Sequence, residues 1–113
     1  MACLFCDIVA GRRPATVLHR DDLVTAFRDL RPQAPVHVLI VPNEHIPSAA
    51  DVSDEHGALM ARLFLVARQM AEREGVDGTG YRLVCNVGAD AGQSVNHLHM
   101  HLLGARRLAW PPG

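Results

Sequence analysis

His97-Leu98-His99-Met100-His101-Leu102-Leu103 alternates imidazole and apolar side chains for six residues before ending on a second leucine. In a β-strand successive side chains point to opposite faces, so this run predicts a strand with Leu98, Met100 and Leu102 in a core. His97, His99 and His101 then share the other face, each about 6.5–7 Å from the next. Three imidazoles on one face have no packing rationale. Two chemistries fit them: metal chelation, for which His-x-His on a strand is a common geometry, and nucleophilic or acid–base catalysis. A free imidazole has a pKa near 6.5, so at neutral pH it is mostly an unprotonated nucleophile while a neighbour carries a proton.

Immediately upstream lies Gly92-Gln93-Ser94, the end of a small-residue loop that starts at Gly88. Such residues let backbone N–H groups approach an oxyanion or phosphate, and the serine hydroxyl adds a donor. An anion cradle abutting a row of imidazoles points to phosphoryl or acyl transfer.

The rest of the chain reads outward from this strand. Residues 4–10 predict a short helix closed by Gly11. Val17–Arg20 and Leu23–Arg28 predict strands by their β-branched and aromatic content. Arg31-Pro32-Gln33-Ala34-Pro35 is a loop, because two prolines deny it helix and ladder donors. Val36–Val41 predicts a strand stopped by Pro42. Ser53 is placed to cap a long helix, with Asp54 and Glu55 in its first turn and Gly75 at its end. Leu59, Leu63, Val66, Ala67 and Met70 give that helix a buried stripe. Met60, Phe64 and Leu65 lie off the stripe, so the helix is apolar nearly all round, which fits burial on two sides. Tyr81–Val87 and Val95–Leu103 predict the last two strands, with Cys85 in the core. Strands grouped rather than alternating with helices give an α+β class with an antiparallel sheet.

Composition narrows the function. At 113 residues and 49% hydrophobic the chain is one domain, 1–113, able to bury a core without staples. A net charge of −1 excludes a basic nucleic-acid footprint. All eleven basic residues are Arg, which excludes a Walker-type phosphate loop and Schiff-base chemistry. No apolar run approaches the roughly 18–20 residues that cross a membrane, and Met1–Asp7 is not a signal peptide. Three cysteines do not make a disulfide framework, so the expectation is a cytoplasmic protein with reduced thiols. Of the seven histidines, the isolated His19, His37 and His56 read as structural or solvated.

Gly92-Gln93-Ser94-Val95 followed by His97-x-His99-x-His101-Leu102-Leu103 resembles the histidine triad (HIT) motif, three histidines separated and followed by apolar residues. The resemblance covers nearly the whole chain: Ala26-Phe27-Arg28-Asp29-Leu30, Pro32-Gln33-Ala34-Pro35, Val41-Pro42 with His45-Ile46, Tyr81-Arg82 with Asn86, and Trp110-Pro111-Pro112-Gly113 are similar to the Hint branch.

That resemblance implies a five-stranded sheet with one long and one short helix, dimerising into a ten-stranded sheet. It implies a homodimeric hydrolase of the P–N bond of purine nucleoside 5′-phosphoramidates. His99 would be the nucleophile, forming a nucleotidyl-histidine that water hydrolyses. His101 would hold phosphate oxygens and manage protons at the leaving group, with His97 completing the triad. Ser94 would donate near the leaving amine. Gln93, Gly92 and Asn86 would surround the phosphoryl oxygens, and Asp29 would accept from the ribose hydroxyls. Phe5, Ile8, Phe27 and Leu30 read by composition alone as plain core; the resemblance makes them an apolar slot for the base. Trp110 would sit in a tail reaching toward the partner's site.

Cys3-x-x-Cys6 departs from the animal-type Hint pattern and resembles bacterial relatives with a structural zinc. The implied ligands are Cys3, Cys6, His45 and His97, a closed Cys₂His₂ site pinning the N-terminal helix to the sheet. Other readings stand beside this one. A dinucleoside polyphosphate hydrolase is disfavoured by the Trp-Pro-Pro-Gly ending. A nucleotidyl transferase is disfavoured by His101, where that branch usually has Gln. The third is a nucleotide-binding regulatory module in which catalysis is incidental.

Overall fold

A computed structural model describes residues 2–113. The chain forms α1 (Leu4–Val9), β1 (Val17–Arg20), β2 (Val24–Arg28), β3 (Val36–Pro42), α2 (Gly57–Arg73), β4 (Tyr81–Val84) and β5 (Met100–Gly104), with two short 3-10 turns before α2. The five strands make one sheet in the order β1-β2-β3-β5-β4, and every neighbouring pair is antiparallel. Among the described residues no helix is long and apolar enough to cross a membrane.

Period-two alternation sends each central strand's side chains to two different cores. Val24 and Ala26 of β2, Val38 and Ile40 of β3, and Met100 and Leu102 of β5 pack with Leu59, Leu63, Val66, Ala67 and Met70 of α2. On the opposite face Phe27, Leu39 and Val41 pack with Phe5 and Ile8 of α1. β3 is buried along its whole length because both faces are covered. Gly104 closes β5 where the chain passes Val76: a Cβ there would lie 2.9 Å from a Val76 methyl.

Several boundaries differ from the sequence reading. β2 starts at Val24; Leu23 is exposed. Ser53 opens a 3-10 turn (Asp54–His56), its N–H donating to His56 Nδ1 at 3.0 Å, and α2 begins only at Gly57. β4 ends at Val84, so Cys85 is exposed and not part of the core. β3 includes Pro42, paired with Val24.

The largest difference is at the histidine run. The β3–β5 ladder begins at Ile40↔Met100, so 95–99 lie outside the strand. Pro42 has no N–H with which to extend a ladder. The incoming chain is held instead by the Leu98 N–H on Ile46 O at 2.6 Å. Leu98 still reaches the α2 core, so the alternation read from sequence survives the loss of the ladder. The histidine face is not open either: α1 lies over it, and His97 and His99 are buried.

Candidate active site and metal centre

His99 and His101 line a cavity of about 340 Å³ under α1, large enough for a small-molecule ligand. Phe5, Ile8, Phe27 and Leu30 form its apolar wall, and Asp29 and Ser94 supply polar groups. Leu4, Ala15, Arg28, Arg31, Leu39 and Val95 also line it and were not singled out from sequence. Arg28 is committed to Glu74. Asn86, Gly92, Gln93 and Trp110 do not line the cavity. Gln93 instead braces its loop: Oε1 accepts from Gly88 N–H at 3.0 Å, and Nε2 donates to Pro47 O and Val95 O at 2.8 and 3.0 Å. Trp110 is 82% exposed.

Backbone groups assign the tautomers of the imidazoles, since a carbonyl only accepts and an N–H only donates. His99 Nδ1 lies 2.7 Å from His97 O and therefore carries the proton. The lone pair of the neutral ring is on Nε2. His37 Nδ1 accepts from Gln33 N–H at 3.0 Å, so His37 Nε2 is the protonated nitrogen. That atom donates to His101 Nδ1 at 2.9 Å, with Asp29 Oδ2 at 3.4 Å beside it. In neutral His101 the proton is therefore on Nε2. The two neighbouring rings, with centroids 5.0 Å apart, present one lone pair and one N–H.

His37, read from sequence as structural or solvated, lies against the triad, with Nε2 2.9 Å from His101 Nδ1. It is the single polar side chain in Val36–Val41 and shares strand parity with Leu39 and Val41, which places it on the histidine face. That parity was the available signal. His19 and His56 match the structural reading, His19 bonding Asp21 at 2.7 Å and His56 closing its turn.

Burial, with His99 and His37 adjacent, holds His101 down at about 4. Burial also lowers His37 and His97. A histidine whose folded pKa lies below its unfolded value near 6.5 stabilises the fold above 6.5, and this contribution is lost as pH falls toward the folded value. The thermal midpoint accordingly falls by several degrees between pH 7 and pH 4.5, and less steeply in His101→Gln. Calorimetry across that range checks this, and an equally steep fall in the variant contradicts it.

His97 is in a different environment. Its Nε2 donates to Pro42 O at 2.9 Å, which leaves the Nδ1 lone pair aimed at three other donors. Cys3 Sγ lies 3.3 Å from His97 Nδ1, Cys6 Sγ 3.5 Å from it, and His45 Nδ1 3.2 Å from it. Cys6 Sγ and His45 Nδ1 are 3.3 Å apart. Tetrahedral zinc with Zn–S of about 2.3 Å and Zn–N of about 2.05 Å has N···S edges of about 3.6 Å and N···N edges of about 3.3 Å. The four residues therefore fit such an ion and could hold a metal. Burial, with the Cys3 thiol beside it, pushes the Cys6 thiol up to about 11, a penalty that a bound cation reverses.

An α+β sheet that brings a lone-pair imidazole and a proton-bearing imidazole to a cavity of small-molecule size defines a class of protein equipped for nucleophilic and acid–base chemistry on a small ligand. Residues 10–108 match the HIT domain family, and the chain belongs to it. It is 50% identical over 105 residues to the purine nucleoside phosphoramidase of Escherichia coli K12, covering 93% of this chain and 88% of that one. Among solved structures, a HIT family hydrolase from Legionella pneumophila superposes with a TM-score of 0.97 at 50% identity, covering 99% of this chain and 100% of that one. A histidine triad protein from Clostridium difficile superposes with a TM-score of 0.92 at 41% identity, covering 96% and 95%.

Proposed function

We propose that this chain is a purine nucleoside phosphoramidase, a HIT hydrolase that cleaves the P–N bond of purine nucleoside 5′-phosphoramidates through a nucleotidyl-His99 intermediate. The observation that carries the mechanism is the bond from His99 Nδ1 to His97 O at 2.7 Å. It holds the proton on the far side of the ring and leaves Nε2 as the nucleophile, so no separate base is needed for attack.

In the first step Nε2 of His99 bonds to phosphorus and the P–N bond breaks, its electron pair leaving with the amine. The amine takes the Nε2 proton of His101 in its imidazolium form, the form that the negative charge of bound phosphate favours, so His101 returns to the neutral ring with His37 2.9 Å behind it. In the second step water attacks phosphorus, the P–His99 bond breaks, and the water proton restores His101. The products are a nucleoside monophosphate and an amine. Ser94 stands on the leaving-group side and Asp29 accepts from the ribose hydroxyls, while Phe5, Ile8, Phe27 and Leu30 hold the base. Gly92, Gln93 and Asn86 are assigned to the phosphoryl oxygens on the family resemblance; they lie off the cavity wall, where the Gln93 side chain fixes the loop to Gly88, Pro47 and Val95. Preorganised donors of this kind are worth most where water is excluded.

Zinc at Cys3, Cys6, His45 and His97 would supply a structural cross-link and no chemistry at phosphorus, because His97 has neither ring nitrogen free for the cavity. The protein acts as a single HIT domain and as a homodimer. Phe64 on α2 is 58% exposed and β4 ends the sheet with an unpaired edge, two features that a second copy would cover. Trp110 would then find its place against the partner. Free Cys3, Cys6 and Cys85 fit a reducing, cytoplasmic compartment.

A fluorogenic adenosine phosphoramidate assay tests the activity. We expect its kcat/KM to exceed that for a dinucleoside polyphosphate by about 10²-fold. Binding of nucleotide without turnover would instead support a sensing module.

A further inference from the structure

Helix α1 has two sides that serve two sites. Cys3 at its N-cap and Cys6 one turn on face the metal cluster, while Phe5 and Ile8 face the nucleotide cavity. Six residues are too few to hold a helix on their own, so α1 is ordered by what its two sides touch.

Phe5 joins those sides. Its ring packs edge-on against His97, a residue of the metal cluster, at 5.9 Å between centroids and 75°. It packs edge-on against His99 at 5.1 Å and 80°, and against Phe27 of the base wall at 5.4 Å. Phe5 is 3% exposed, so it cannot shift without moving these neighbours.

We propose that metal binding at Cys3/Cys6/His45/His97 and nucleotide binding in the His99 cavity are energetically coupled, with Phe5 the positioning side chain that carries the coupling. This rests on the preceding reading of the two sites. Metal clamps Cys3 and Cys6, the clamp orders α1, and ordered α1 presents Phe5 to the base and to His99. A nucleotide pressed against Phe5 in turn holds the two thiols at the metal. Linkage requires the effect to be equal in both directions.

The test is the zinc affinity of the folded, zinc-loaded protein, read by competition with a chromophoric chelator, with and without saturating AMP. AMP is expected to tighten zinc about 10-fold in the wild type, within the usual range for coupled sites. In Phe5→Leu, measured at an AMP concentration saturating for that variant, the factor drops to about 2-fold. Titration calorimetry of AMP into loaded and chelator-stripped wild type should return the same 10-fold factor. A wild-type factor below about 2, with both ligands binding, overturns the coupling while leaving both sites in place. The same factor in Phe5→Leu as in the wild type overturns the role of Phe5, and covers the case in which stripping simply unfolds the chain. Failure of AMP or zinc to bind at all overturns the inference together with the reading of that site.

Discussion

His99→Ala lowers turnover of a purine nucleoside phosphoramidate by about 10⁴-fold or more, the scale seen when an enzyme loses its attacking atom. The side chain is buried at 4% exposure between Phe5 and His101, so its removal also leaves a small cavity. Its one hydrogen bond is to His97 O, and that carbonyl stays attached to the backbone. The fold and the cavity walls are therefore expected to persist, and AMP binding should change by less than about 10-fold. Steady-state kinetics beside calorimetric AMP binding separate the two effects. Wild-type turnover in the variant would remove His99 from the mechanism; loss of AMP binding in equal measure would make its role structural.

Cys3→Ala combined with Cys6→Ala abolishes bound zinc and lowers the thermal midpoint by about 10 °C or more. Metal binding at a site formed only on folding contributes its free energy to stability, and each kcal/mol shifts the midpoint of a domain this size by several degrees. The effect is local in origin: α1 loses the anchor that opposes the Phe5–Ile8 side. Metal analysis of the wild type should find about one zinc per chain. If it finds none, or if the double variant melts at the wild-type temperature, the zinc assignment is wrong.

The alternation in 97–103 and the grouping of strands were enough to read the class of fold, because side-chain parity does not depend on where hydrogen bonds start. Strand limits were less legible. Nothing in Val95–His99 itself says that Pro42, more than fifty residues away, ends the ladder. The same holds for Cys85, read as core because it falls alone within a predicted strand, whereas β4 ends at Val84 and leaves it exposed. The metal cluster was legible only through resemblance, since four ligands from three separate segments carry no local signature beyond Cys-x-x-Cys. The face of His37 was readable from parity, but its pairing with the triad was not. Its partner His101 is 64 residues distant, and only the register Leu39↔His101 puts β3 against the triad. Arg31, on the cavity rim, carried no signal at all among eleven arginines.

The measurement that bears most directly on this account is mass spectrometry of the protein quenched rapidly during turnover of an adenosine phosphoramidate. The account predicts a transient AMP adduct on the peptide that contains His97–Leu103, localised to the imidazole of His99 and absent from His99→Ala. An adduct on another residue, or product formed at full rate with no covalent species at any time, would contradict it.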